Sequence, residues 1–156
     1  LRSDYPMLQL VLAGPEGWLS QPIHAQVQKM GLAQHVIFPG YMADSDKAAL
    51  ISGARIFAYP SLYEGFGFPV LEAQACGTPL LTSNTSSLPE VAGEGAVFID
   101  PEDVSAIVHG LQLLLEDEGL RNACIARGYE NLHRFSWNQT AHTVIDVMED
   151  ILERKG

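Results

Sequence analysis

Glu64 and Glu72 flank a glycine-containing turn in the stretch PSLYEGFGFPVLEAQACG, residues 60–77, with seven residues between them. These residue types suit one kind of chemistry. Gly65 and Gly67 lack a Cβ, so the backbone there can bend sharply and approach a ligand closely. Pro69 suits the first position of a helix, where its missing N–H would have no partner anyway. The amides of residues 66–68 and 70 are then expected to point outward at the positive end of the helix dipole, a site for phosphate or sugar hydroxyls. Glu72 falls about one turn inside the helix, and Glu64 falls on the strand-to-helix turn. Carboxylates accept hydrogen bonds from vicinal hydroxyls, so a ribose or a hexose is a natural target. The same residues can also form a purely structural turn, with Glu64 solvated and Glu72 on a wet helix face. The turn is not a Walker loop, since it has no Gly-Lys-Ser/Thr. It is not the dinucleotide fingerprint either, since GFGFPV lacks the third glycine.

The elements that must position this turn are legible as periodicity. LQLVLA at 8–13 reads as a buried strand closed by Gly14 and Pro15. Pro22 opens a helical pattern with Ile23, Val27 and Met30 on one face and Gly31 as the stop. VIF at 36–38 is a second strand, and Asp44 or Ser45 is placed to cap a helix reaching Leu50 and Ile51. RIFAYP at 55–60 is a third strand, followed by a helix from Pro69 to Cys76 that stops at Gly77. PLLTS at 79–83 and AVFID at 96–100 are the fourth and fifth strands, with a short helix in SSLPEVAG between them. Beyond residue 100 the pattern is helical. One segment starts at Pro101 or Asp103, a more polar one covers 117–134, and Ser136 caps a third in which Trp137, Ala141, Val144, Ile145, Met148, Ile151 and Leu152 recur.

Short apolar strands alternating with helices predict an α/β domain: a Rossmann-like parallel sheet with helices on both faces and a helical C-terminus. The chain reads as a single domain over 1–156, alternating to residue 100 and helical from 101. In such sheets ligands gather at the carboxyl ends of the strands, and PSLYEGFGFP is one of those turns.

Composition narrows the function classes. The 156 residues are 47% hydrophobic, enough for a real core, and no apolar run reaches the roughly 18 residues that span a membrane. A formal net charge of -10 argues against a nucleic-acid or anionic-membrane surface, which needs clustered Lys and Arg. It does not exclude one small anionic ligand held by backbone amides. Cys76 and Cys124 are expected as two buried thiols rather than a disulfide. The five histidines show no metal-ligand spacing, so no metal is expected.

The stretch PSLYEGFGFPVLEAQACGTPLLTSNTSSLPEVAG resembles the donor-binding core of the retaining, GT-B-fold glycosyltransferases of family 4, also called group 1 glycosyltransferases. Glu64 and Glu72 match that family's glutamate pair. ACGTP at 75–79, LPEVAG at 88–93 and FSWNQTA at 135–141 match its later turns and its closing helix, so the likeness covers roughly residues 7–154. The resemblance implies a nucleoside diphosphate sugar as donor and no separate cofactor. It implies that Glu64 acts at the donor hexose near the reacting carbon. Gly65, Phe66, Gly67 and Phe68 would cradle sugar and distal phosphate with their backbone, and Glu72 would hold the ribose hydroxyls. It further implies that Met42 and Asp44, in the turn GYMADSDK, flank the nucleobase, with Lys47 near its edge. For these three, a helix cap at Asp44 and a solvated Lys47 are the plain alternatives. Asp44 and the SNTSSLPE turn lean toward GDP-mannose.

The family's donor domain also has an upstream strand and helix, and an Arg and a Lys for the pyrophosphate, that find no match here; Arg55 begins a strand and is expected to point elsewhere. The resemblance therefore implies the C-terminal half of a two-domain enzyme, inactive by itself, whose glycan or lipid-linked acceptor binds through an N-terminal domain. It implies a cytoplasmic location, membrane-peripheral in the longer protein. With a central strand missing, the first and third strands are expected to pair directly or to leave a gap open to self-association. A binding module of the same fold without chemistry is the competing class. A nucleotide-sugar epimerase is a third reading, ill-suited to EGFGFPVLEA.

Overall fold

The structure is a computed structural model that describes residues 1–15, 17 and 20–154. Its contacts divide the chain into two compact units, Leu1–Ile51 and Ser52–Gly156.

The first unit holds β1 (Leu10–Ala13), α1 (Ser20–Lys29), β2 (Val36–Gly40) and the start of α2 (Asp44–Ser52). β1 and β2 run parallel, with Leu10 opposite Val36 and Ala13 opposite Gly40. β1 is exposed along its length, against the expectation of a buried strand. The reason is a lack of cover: its one sheet neighbour is β2, and no described residue of α1 is buried. Helix α1 starts two residues before Pro22, which sits in the first turn, where a missing N–H costs nothing. Gly31, at φ +66°, ends it in the left-handed conformation that glycine adopts without strain.

The second unit carries β3 (Phe57–Tyr59), α3 (Phe68–Ala75), β4 (Leu80–Ser83), α4 (Leu88–Ala92), β5 (Val97–Ile99), α5 (Val104–Glu116), α6 (Glu118–Leu132) and α7 (Trp137–Glu153). Its sheet is all parallel in the order β3-β4-β5, with Tyr59 opposite Thr82 and Thr82 opposite Phe98. All four residues of the central strand β4 are buried, as a strand paired on both edges and covered on its faces requires. Leu81 and Ile99 meet Leu114 and Cys124 in the core, with Val97 and Leu111 packed around them.

Helix starts follow side-chain chemistry. Asp103 accepts from the Ser105 amide at 2.7 Å, and Asp117 accepts from the Leu120 amide at 2.8 Å. A buried amide pair ties three helices together: Gln74 on α3 accepts from Asn131 Nδ2 at 2.9 Å and donates to Ala92 O at 2.8 Å, at the end of α4. Both cysteines are free, Cys124 buried and Cys76 half-buried.

Three expectations change. The five strands form two parallel sheets rather than one, and among the described residues β1 pairs with β2 and not with β3. Asp44 lies inside the first turn of α2 rather than ahead of it as a cap. The apolar positions of α7 do recur at helical spacing, yet every described side chain of that helix is exposed, Ile151 and Leu152 included.

Candidate functional site

The turn between β3 and α3 is built around Glu64. Tyr59, at the end of β3, donates its hydroxyl proton to Glu64 Oε1 at 2.5 Å, and Ser61 Oγ donates to the same oxygen at 2.9 Å. Among the described residues Glu64 Oε2 has no hydrogen-bond partner, so a half-buried carboxylate is held by one oxygen and presents the other. Burial first, then the Glu64 hydrogen bond and the charges of Glu64 and Glu72, push the Tyr59 phenol up from 10 to about 12. Tyr59 therefore stays protonated, a fixed donor, at any neutral pH. The charge of Glu72 is the smallest of these causes.

Helix α3 starts at Phe68, one residue earlier than Pro69, because Gly67 takes the N-cap position at φ +97°. A Cβ there would stand 2.7 Å from Leu88 Cδ2, so Gly67 is required both by its backbone angle and by its neighbour. Gly65 differs: its φ is ordinary, and a Cβ would meet nothing within 4 Å. Of the two, only Gly67 needs a positive φ.

The amides of residues 66–68 have no acceptor among the described residues, and neither has that of Gly65. The Val70 amide was expected to join them. It is instead spent on Gly67 O at 3.0 Å, which closes the first turn. The rings of Phe66 and Phe68 lie 4.7 Å apart. Phe66 also meets Phe135 edge-on at 5.8 Å, and Phe68 stacks on Trp137 at 6.2 Å, so these rings tie the turn to the start of α7. Glu72 is half-exposed on α3.

The remaining expected residues lie in the first unit. Met42 is half-buried in the turn after β2. Asp44 is exposed and forms a loose ion pair with Lys47, 3.9 Å long. Arg55 is exposed ahead of β3, in a shallow depression with Pro79, Glu118 and Arg121. Among the described residues no group of three or more His, Cys, Asp or Glu is placed to hold a metal. Residue typing passed over Tyr59, Ser61, Ser86 and Ser87. The hydroxyl-rich run TSNTSS at 82–87 was the available signal for the last two.

The arrangement offers a carboxylate with one free oxygen, a second carboxylate on α3, and a row of amides at a helix start without acceptors among the described residues. Such groups are chemically suited to hydroxyls and to an anion.

Comparison with known proteins places the chain in a family. The family described as glycosyl transferases group 1 matches residues 1–131. An O-antigen chain mannosyltransferase of Escherichia coli is 40% identical over 144 residues, which cover 92% of this chain and 37% of that protein. A serotype-specific mannosyltransferase of the same species is 37% identical, over 98% of this chain and 19% of that protein. The chain thus spans well under half the length of these curated relatives. Among solved structures, the sucrose-phosphate synthase of Thermosynechococcus elongatus superposes with a TM-score of 0.83 at 27% identity, over 94% of this chain and 39% of that one. Parallel sheets flanked by helices are the architecture of GT-B glycosyltransferase C-terminal domains. Architecture, motif and sequence agree: the chain belongs to the group 1 glycosyl transferases.

Proposed function

We propose that this chain is the nucleotide-sugar-binding part of a retaining glycosyltransferase of family 4, which moves a hexosyl group, mannosyl by preference, from a nucleoside diphosphate sugar to a hydroxyl of a glycan or lipid-linked acceptor. The observation that carries the reading is Glu64: Tyr59 and Ser61 hold one of its oxygens, and the other has no hydrogen-bond partner among the described residues. A carboxylate so restrained is preorganised for a sugar hydroxyl, and preorganisation is what donor positioning requires. Glu72 takes the ribose hydroxyls, and the amides of residues 65–68 take the sugar and the distal phosphate. Met42 and Asp44 take the base. The mannosyl preference rests on the Escherichia coli mannosyltransferases to which the chain is similar.

Residues 60–77 contain no Lys or Arg. The turn supplies acceptors and amides, and the cations for the diphosphate come from another part of a longer enzyme. Transfer therefore requires that longer enzyme, which works in the cytoplasm or at its membrane face, and this chain alone binds donors weakly.

The test is titration of the chain with GDP-mannose, GDP, UDP-glucose and UDP, followed by backbone amide chemical shifts. Shifts concentrated on residues 42–44, 64–68 and 72, with those of the Glu64 turn lost in Glu64→Gln and Glu72→Gln, support the reading. Shifts elsewhere, or shifts that both variants retain, refute it.

A further inference from the structure

No backbone-to-backbone hydrogen bond among the described residues holds positions 61–66. The turn that carries Glu64 is exposed at Leu62, Tyr63 and Gly65, and it lies outside the sheet ladder. Something else must hold its shape. The neighbouring segment, from the end of β4 to the start of α4, reads Thr82-Ser83-Asn84-Thr85-Ser86-Ser87, and five of these six residues carry a hydroxyl. Each of the five is spent on the stretch 59–66. Thr82 donates to Tyr59 O at 2.9 Å, Ser83 to Ser61 O at 2.6 Å and Thr85 to Leu62 O at 3.3 Å. Ser86 Oγ accepts from the Glu64 amide at 3.1 Å. Ser87 Oγ lies 3.0 Å from Glu64 O and 2.9 Å from Phe66 O, one proton shared between two carbonyls.

Two details set Ser86 and Ser87 apart from ordinary loop serines. Ser86 has φ +53° and is the one described non-glycine residue with a positive φ. A side chain is strained in that conformation, and glycine would relieve the strain at once, so the hydroxyl has a use that glycine cannot meet. Ser87 stands at the N-cap of α4, where a serine normally accepts from an amide of its own helix. It makes no such bond and spends its hydroxyl on the Glu64 turn instead.

We propose that Ser86 and Ser87 are positioning residues for Glu64: they clasp its amide and its carbonyl, and so aim its free carboxylate oxygen at the donor sugar. Their hydroxyls reach the Glu64 amide and carbonyl, and the donor role rests on the function proposed above. The clasp is made by side chains, so it can be removed without breaking a ladder or opening the core. Its far end is firm: Leu88, the first residue of α4, is fully buried, and Gln74 and Asn131 hold the carbonyls of Ala92 and Val91 at the helix end.

The experiment uses Ser86→Ala, Ser87→Ala and Ser87→Thr in this chain, with three readouts: amide hydrogen exchange at Glu64, titration of the Tyr59 ring resonances, and GDP-mannose affinity. The expected result for Ser86→Ala is that Glu64 amide exchange speeds up about tenfold, the scale of one lost hydrogen bond. In both alanine variants Tyr59 should begin to titrate at lower pH and GDP-mannose should bind more weakly, while Val97–Ile99 amide protection stays unchanged as proof of folding. Ser87→Thr keeps the hydroxyl and should restore the wild-type values. Unchanged Glu64 exchange and an unchanged Tyr59 titration in the alanine variants would overturn the proposal, whatever happens to affinity. Glu64→Gln separates the two claims. If it leaves affinity intact while the alanine variants alter exchange and titration, the clasp stands and the donor role of Glu64 falls.

Discussion

Tyr59 and Glu64 share a short hydrogen bond: the phenol of one donates to Oε1 of the other at 2.5 Å, across the turn that leaves β3. Ser61 reaches the same oxygen at 2.9 Å. One carboxylate oxygen is therefore committed to the protein, and the other has no hydrogen-bond partner among the described residues. This asymmetry separates a positioned acceptor from a merely solvated acid.

The pair makes the pH response of Tyr59 specific. Its folded-state phenol stands at about 12, above the ordinary 10, so the group contributes stability fully present below pH 10. That contribution is lost as pH rises from 10 through 12, because the unfolded chain releases the proton first. A base titration that follows unfolding should show stability falling across that window. Glu64→Gln should bring the Tyr59 titration down only part of the way, because burial is the largest cause of the shift.

Tyr59→Phe removes one of the two donors that hold Glu64. The prediction is an intact fold with GDP-mannose affinity lowered about threefold to tenfold, the effect of one hydrogen bond on a carboxylate. Calorimetric titration checks it, and unchanged affinity would show that Ser61 alone suffices.

Two glycines in one turn should respond in opposite ways. Gly67→Ala drives a Cβ to 2.7 Å from Leu88 and forces φ +97° on a side chain. A loss of about 1–3 kcal/mol in thermal or denaturant unfolding is expected. Gly65→Ala meets nothing within 4 Å, so its unfolding midpoint should not move. Its methyl would instead project into open space at the turn that carries Glu64, and donor binding should weaken.

The buried amide pair is a stability element remote from the turn. Gln74→Leu takes one hydrogen bond from Ala92 O, which keeps the Gly95 amide at 3.2 Å, and one from Asn131 Nδ2, which keeps Val91 O, at a cost of about 1 kcal/mol. Asn131→Ala strands Gln74 Oε1 and Val91 O in the same way. Because the two residues share a bond, the double variant should lose less than the sum of the singles, which a double-mutant cycle in urea would measure.

Helix α7 should behave as a surface. Ile151 and Leu152 are 50% and 72% exposed, so Ile151→Gln or Leu152→Gln should shift the stability of this chain by no more than about 0.5 kcal/mol. A larger loss in chemical denaturation would show that the helix face is covered in solution.

The sequence by itself determined the local elements and the family. Alternating apolar runs and breakers mark five strands and seven helices within a few residues of their ends, because hydrogen-bonded periodicity and capping are short-range effects. The EGFGFP turn shows its glycines, its helix proline and its two acids for the same reason. Only the tertiary structure decided which of these matter and how. That Glu64 is held through one oxygen depends on Tyr59 arriving from β3 and on serines that lie more than twenty residues away. That Gly67 is obligatory and Gly65 is not depends on Leu88, a contact between helices that no spacing rule contains. The expected burial of β1 failed for the converse reason. An apolar run says that a strand can be buried, but only neighbouring elements can cover it, and among the described residues β1 has one strand beside it and α1 has no buried residue.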